Sequence, residues 1–131
     1  MCYESGGACK FGLDYSGNAT ATTFNGVSDS RYKTNVATAS GLDTVAKLRG
    51  VEFDWKNGNG KSSGVIAQEL ETVLPHLVAT DSSPEKMKSV NYAGLSAYFI
   101  ESIKELKARN EALEAKNAEM EKRLEALEAA K

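Results

Sequence analysis

A 3.5-residue repeat from Ser96 to Leu127 constrains this chain more than any other feature in it. With Phe99, Leu106, Leu113, Met120 and Leu127 at position d of a heptad, position a is filled by Ser96, Ile103, Asn110, Asn117 and Leu124. Apolar residues at that spacing line one side of a helix and call for a partner helix. The flanks agree. Arg109, Lys116 and Arg123 at g each find an opposite charge at the e positions Glu114, Glu121 and Glu128. That pattern favours parallel strands in register. Glu105 to Arg109 and Glu119 to Arg123 are expected to add i,i+4 support, about 0.3 kcal/mol apiece. Asn110 and Asn117 at a cost stability but reject staggered registers. The seam residues are therefore Phe99, Ile103, Leu106, Asn110, Leu113, Asn117, Met120, Leu124 and Leu127. An alanine- and charge-rich single helix in solvent is the plainer alternative, and it explains none of these agreements. The a and d choices do not select between two strands and three.

The chain has 131 residues, 41% of them hydrophobic and 26% charged, so what precedes the helix holds one small core at most. Its elements read as α+β, a small mixed core. Ser40 is expected to cap a helix that presents Leu42, Val45, Ala46 and Leu48 on one face and ends at Gly50. Val51-Glu52-Phe53-Asp54-Trp55 alternates as a strand does, with Val51, Phe53 and Trp55 inward. Residues 56–61 form a loop, and Val65-Ile66 leads into a helix over Ala67 to Leu74. Ile66, Leu70, Val73 and Leu74 face inward there, and Pro75 stops the helix. Leu77-Val78 and residues 88–92 read as short strands on either side of the loop Asp81-Ser82-Ser83-Pro84.

Residues 1 to about 27 carry short extended alternations. Phe11, Leu13 and Tyr15 alternate with Gly12 and Asp14, Ser16-Gly17-Asn18 signals a turn, and Asn25-Gly26 signals another. Too few apolar residues occur here for a core of its own. The stretch is expected to be the end of a β structure continued upstream and completed by other copies. The resulting division is 1–27, 28–95 and 96–131.

Several function classes lose support. A formal net charge of −2 argues against nucleic acid or an anionic membrane as partner. There is no apolar run of spanning length and no charged-then-apolar leader, so a soluble protein is expected. Cys2 and Cys9 have no second Cys/His pair at ligand spacing, and the lone His76 is distant in sequence. No metal or cofactor is expected, and the cysteines read as free thiols of a reducing compartment, with a local disulfide between them the alternative.

Ser28-Asp29-Ser30-Arg31-Tyr32-Lys33 stands where the extended region gives way to the αβ pattern. A serine hydroxyl is a weak nucleophile until its proton is taken, and a lysine takes it only when neutral. Burial or a neighbouring cation would have to favour the neutral amine, with Arg31 the candidate cation. An exposed polar loop whose Ser28 and Lys33 never meet is the plainer alternative, and S-x4-K alone is common by chance.

Four motifs now stand in one order: S-D-x-R-x-K at Ser28 to Lys33, L-x-G-V-x-F-D-W at Leu48 to Trp55, G-V-I-A-Q-E at Gly64 to Glu69, and V-N-Y at Val90 to Tyr92 running into the helix. Together they resemble the C-terminal intramolecular chaperone domain of phage tailspikes and tail fibres, the peptidase S74 group. The resemblance covers about Val27 to Leu113. It implies a homotrimer that registers an upstream β-structured fibre shaft of the same chain and then cuts itself free. It further implies Ser28 as nucleophile and Lys33 as base, with Val27–Ser28 the favoured scissile bond over Ser28–Asp29. Asp29, Arg31 and Glu69 would be supporting residues. The setting it implies is the host bacterial cytoplasm during phage assembly, with the shaft bound for the virion tail. The competing reading is a non-cleaving trimerisation module at the tip of a fibre or adhesin.

Overall fold

A computed structural model describes residues 2–5, 8–13 and 19–130. The expected turn at Ser16-Gly17-Asn18, Tyr15 beside it, and the side chains of Cys2 and Cys9 lie outside what is described. The chain divides into two units, residues 1–36 with 54–61, and residues 37–53 with 62–131.

In the first unit, β1 (Cys2–Ser5), β2 (Ala8–Leu13) and β3 (Ala19–Ala21) form an antiparallel sheet in that order. Phe11 pairs with both Tyr3 and Ala21, which fixes the register across the three strands. Extended structure is thus present before residue 22. The turn expected at Asn25-Gly26 is not formed, because no strand follows Gly26 to close a hairpin. The chain instead runs without regular structure to a 3-10 turn at Ser30–Tyr32. The loop at 56–60 is the turn expected there, closed by Trp55 N–H donating to the Gly60 carbonyl at 3.0 Å. Trp55, expected in the core, is 51% exposed, since β4 stops one residue before it.

The second unit holds the core. Its elements are α1 (Leu42–Val45), β4 (Val51–Asp54) paired with β5 (Lys61–Gly64), α2 (Ala67–Val73), β6 (Val78–Thr80) antiparallel to β7 (Lys88–Val90), and α3 (Leu95–Ala129). Leu70, Leu74, Leu77 and Leu95 are buried, with Leu48, Val65, Val73, Val78, Val90 and Tyr98 packed around them. Leu70 and Leu74 are one helical turn apart, as the α2 periodicity requires. Pro75 ends α2 and opens a 3-10 turn, which drops Leu77 into the core instead of into a strand.

One expectation falls short here. The helix foreseen from Ser40 to Leu48 is four residues long. Ser40 does not cap it: its hydroxyl accepts from Thr44 Oγ1 at 2.8 Å. Thr44 and Val45 are β-branched and propagate a helix poorly. Val65-Ile66 is the entry to α2, with Ile66 at its N-cap, and the strand before it is β5.

The long helix carries two separate stripes. Leu95, Tyr98, Ser102, Glu105 and Arg109 occupy g and c positions and face the unit's own core and α1. Leu95 and Ser102 are 4% exposed, and the Ser102 hydroxyl is satisfied by the Tyr98 carbonyl at 2.8 Å. The a and d residues lie roughly 110° round the helix axis. They are open to solvent: Ile103 is 65% exposed, Leu113 58%, Leu124 59% and Leu127 65%, with Phe99, Leu106 and Met120 each at 45%. Glu105 and Arg109 do not pair with each other as i,i+4 residues. Both turn to α1, and the pairs formed along the helix are Lys104–Glu101 and Lys107–Glu111.

Two of the sequence motifs meet in this unit. Tyr92 of V-N-Y lays its hydroxyl against Gly64 of G-V-I-A-Q-E so closely that a Cβ there would collide with it. The hydroxyl oxygen accepts from the Val65 N–H at 3.3 Å. Tyr92→Phe is expected to cost about 0.5–1.5 kcal/mol of unfolding free energy by removing that acceptor, read from urea melts. An unchanged midpoint would count the hydroxyl as ornament.

Candidate functional site

The loop from Ser28 to Lys33 is built by local hydrogen bonding. Asp29 is extended (φ −66°, ψ 135°) and its carboxylate accepts from the Arg31 N–H at 2.8 Å, capping the 3-10 turn. The same carboxylate takes Arg31 Nε at 3.0 Å and Nη2 at 2.8 Å, a two-pronged pair. The Tyr32 N–H donates to the Asp29 carbonyl at 3.2 Å, and the Lys33 N–H to the Ser30 carbonyl at 3.0 Å. Reversing the chain over three residues brings residues 28 and 33 side by side. Lys33 Nζ donates to Ser28 Oγ at 2.7 Å.

The surroundings matter as much as the distance. Ser28 and Lys33 are both exposed, and Arg31, the foreseen cation for Lys33, is engaged by Asp29. Val27 and Tyr32 beside them are 86% and 80% exposed. Lys33 Nζ donates to Oγ here, whereas a base must present a lone pair. The two side chains are in contact, but no described residue covers them.

Arg31 beside Asp29, first through the side-chain bonds and then through its N–H, holds the Asp29 carboxyl below the usual range. With the folded value depressed, the loop gains stability above the ordinary carboxylate value and loses it as pH falls through the depressed one. An NMR titration should therefore find the Asp29 midpoint below that of an unstructured Asp, and Arg31→Ala should return it to the ordinary range. The same midpoint in both would refute the pairing.

Glu69 belongs to the second unit, at the first turn of α2, where both oxygens are taken by Arg49 Nε (3.0 Å) and Nη2. That pair, chiefly through its hydrogen bonds, holds the Glu69 carboxyl below its ordinary value. It ties the segment before β4 to α2 and so joins L-R-G to G-V-I-A-Q-E. Sequence reasoning singled out Glu69 but missed Arg49. The one available signal was that the two motifs occur together. It also missed the c/g stripe of α3, although Leu95, Tyr98 and Ser102 are spaced to share a face. His76 Nε2 and Tyr98 OH are 2.9 Å apart. Among the described residues no group of three or more His, Cys, Asp or Glu could hold a metal ion, and no helix is long and apolar enough to cross a membrane.

No curated protein matches the chain. Residues 28–79 match the Peptidase S74 family model, described as chaperone of endosialidase. The matched span opens on Ser28 and contains the Ser28–Lys33 loop, β4, β5, α2 and the Arg49–Glu69 pair; β7 and α3 lie beyond it. Its name marks a peptidase relationship and its description a chaperone. The family recognised from the order of the sequence motifs is thus the family whose model these residues match.

Proposed function

We propose that this chain is an intramolecular chaperone that trimerises through α3, registers a fibre shaft ending near Val27, and releases itself by autoproteolysis at Val27–Ser28. The observation that carries the reading is the 2.7 Å contact between Lys33 Nζ and Ser28 Oγ, inside the segment that matches a peptidase-related chaperone family. Threading three chains into one β structure carries a high entropic cost of long-range pairing. A trimeric clamp raises local concentration and fixes register first. Cutting then leaves the shaft held only by its own unfolding barrier.

The chemistry is an acyl shift followed by hydrolysis. Neutral Lys33 takes the Ser28 hydroxyl proton as Oγ attacks the Val27 carbonyl carbon. The C–N bond breaks, the Ser28 nitrogen takes up a proton from the lysine and becomes an amine, and the Val27 acyl group rests on Oγ as an ester. Water then releases the Val27 carboxylate and regenerates the serine. An exposed ammonium is no base, so the step waits until a neighbouring copy covers the loop. Burial then favours the neutral amine. Asp29 and Arg31 hold the loop's reversal, and Glu69 with Arg49 braces the second unit's own core. The reading sets assembly in the host bacterial cytoplasm, with the released fibre in the virion tail.

The exposure of both side chains in the single chain favours a second reading, a trimerisation tip that never cuts. An intact-mass spectrum of the assembled chain separates the two. Wild type is expected to give two fragments, the downstream one beginning at Ser28, while Ser28→Ala and Lys33→Met stay whole, a loss of at least about 1000-fold in rate. A whole wild-type chain, or equal cutting in all three, leaves only the non-cleaving tip.

A further inference from the structure

Gly41 is buried, and the space where its Cβ would stand is filled by the carboxylate of Glu105, 64 residues further along the chain. One Glu105 oxygen accepts from the Leu42 N–H, the first of α1, at 3.1 Å. One turn on, Arg109 Nη2 lies 3.9 Å from Asp43 Oδ1. No side chain of the preceding segment caps α1. An orphan N–H at a helix start needs an acceptor, and here the acceptor comes from the long helix. Glu105 occupies a c position, off the a/d seam, so self-association of α3 leaves this contact undisturbed. Gly41 follows Lys33 by only eight residues.

We propose that Glu105 is a positioning residue. By capping α1 through the gap left at Gly41, it latches the segment leaving the Ser28–Lys33 loop onto the oligomerising helix. The function of the latch rests on the reading above. Helix association then carries with it the chain from Gly41 onward, which follows Lys33 by eight residues. A longer residue at 41 would expel the carboxylate, and a residue at 105 without an acceptor would leave α1 uncapped.

The test is a double-mutant cycle read two ways in the full chain. Hydrogen exchange at residues 42–46 reports the latch itself, and the rate of appearance of the Ser28 fragment reports its effect. Glu105→Ala and Gly41→Ala should each speed exchange roughly tenfold, with the assembly mass by light scattering unchanged. Gly41→Ala should add little on top of Glu105→Ala, because the collision partner is gone. Glu105→Gln, which keeps an acceptor oxygen, should exchange as wild type does. Where the chain cuts, the cutting rate should follow the exchange in the same order. Unchanged exchange in Glu105→Ala, full additivity of the pair, or Gln behaving as Ala would overturn the latch. So would cutting in Glu105→Ala at the wild-type rate. A wild-type chain that never cuts removes the cleavage reading but leaves the exchange cycle to decide the latch.

Discussion

An Ile103→Asp, Leu113→Asp chain is expected to run as a folded monomer and to stop cutting. Both side chains stand well over half exposed in the single chain and touch nothing in its own core. If three copies bury them, the two positions together withdraw on the order of 10 kcal/mol of apolar burial per trimer when made charged. They also place like charges within one seam. Association at micromolar concentration does not survive that loss. Because the core hangs from the c/g stripe, its far-ultraviolet signal should be kept. Sedimentation at several concentrations gives the mass, and mass spectrometry shows whether the Val27–Ser28 bond persists. A double variant with the wild-type mass would mean that the heptad is not the joint. A monomer that still cuts would place the whole trigger within one chain.

Leu70→Ala should unfold the second unit's core at working temperature or come close to it. Leu70 is 2% exposed, the most enclosed of the four leucines that form the described core. Truncating such a side chain costs about 2–5 kcal/mol, against a total of roughly 5–15 kcal/mol for a small domain. A drop in Tm of about 10 °C or more follows. Measured in the seam-broken background, the loss belongs to the core and not to the assembly. Leu127→Ala in that background should leave the melt where it was, since Leu127 is exposed in the single chain. Equal melts for the two would refute the core described here.

The parts legible in the sequence were those whose cause is local. The spacing of Leu70, Val73 and Leu74 together with Pro75 defines α2, and the heptad defines α3 over 35 residues. The Ser28 to Lys33 spacing allowed a contact but did not require one. What brings the side chains together is Asp29 accepting from Arg31, a bond across two residues that the motif letters alone do not dictate. The failures share one cause. Ser40 lost the cap of α1 to Glu105, and Trp55 lost its place in the core to the early end of β4. Each was decided by a partner distant in sequence, or by where pairing stopped, and neither leaves a periodic trace. Arg49 and Glu69, 20 residues apart, are of the same kind.

Past Arg109, α3 meets no other element of its own chain through a hydrogen bond or ion pair among the described residues. That distal rod is therefore a replaceable handle. A foreign helix spliced in after Arg109 would leave every described bond of the globular part intact. Natural variants could lengthen, shorten or exchange this portion without retuning the rest, and under the function proposed above an engineer could change the symmetry of the assembly by changing the handle alone.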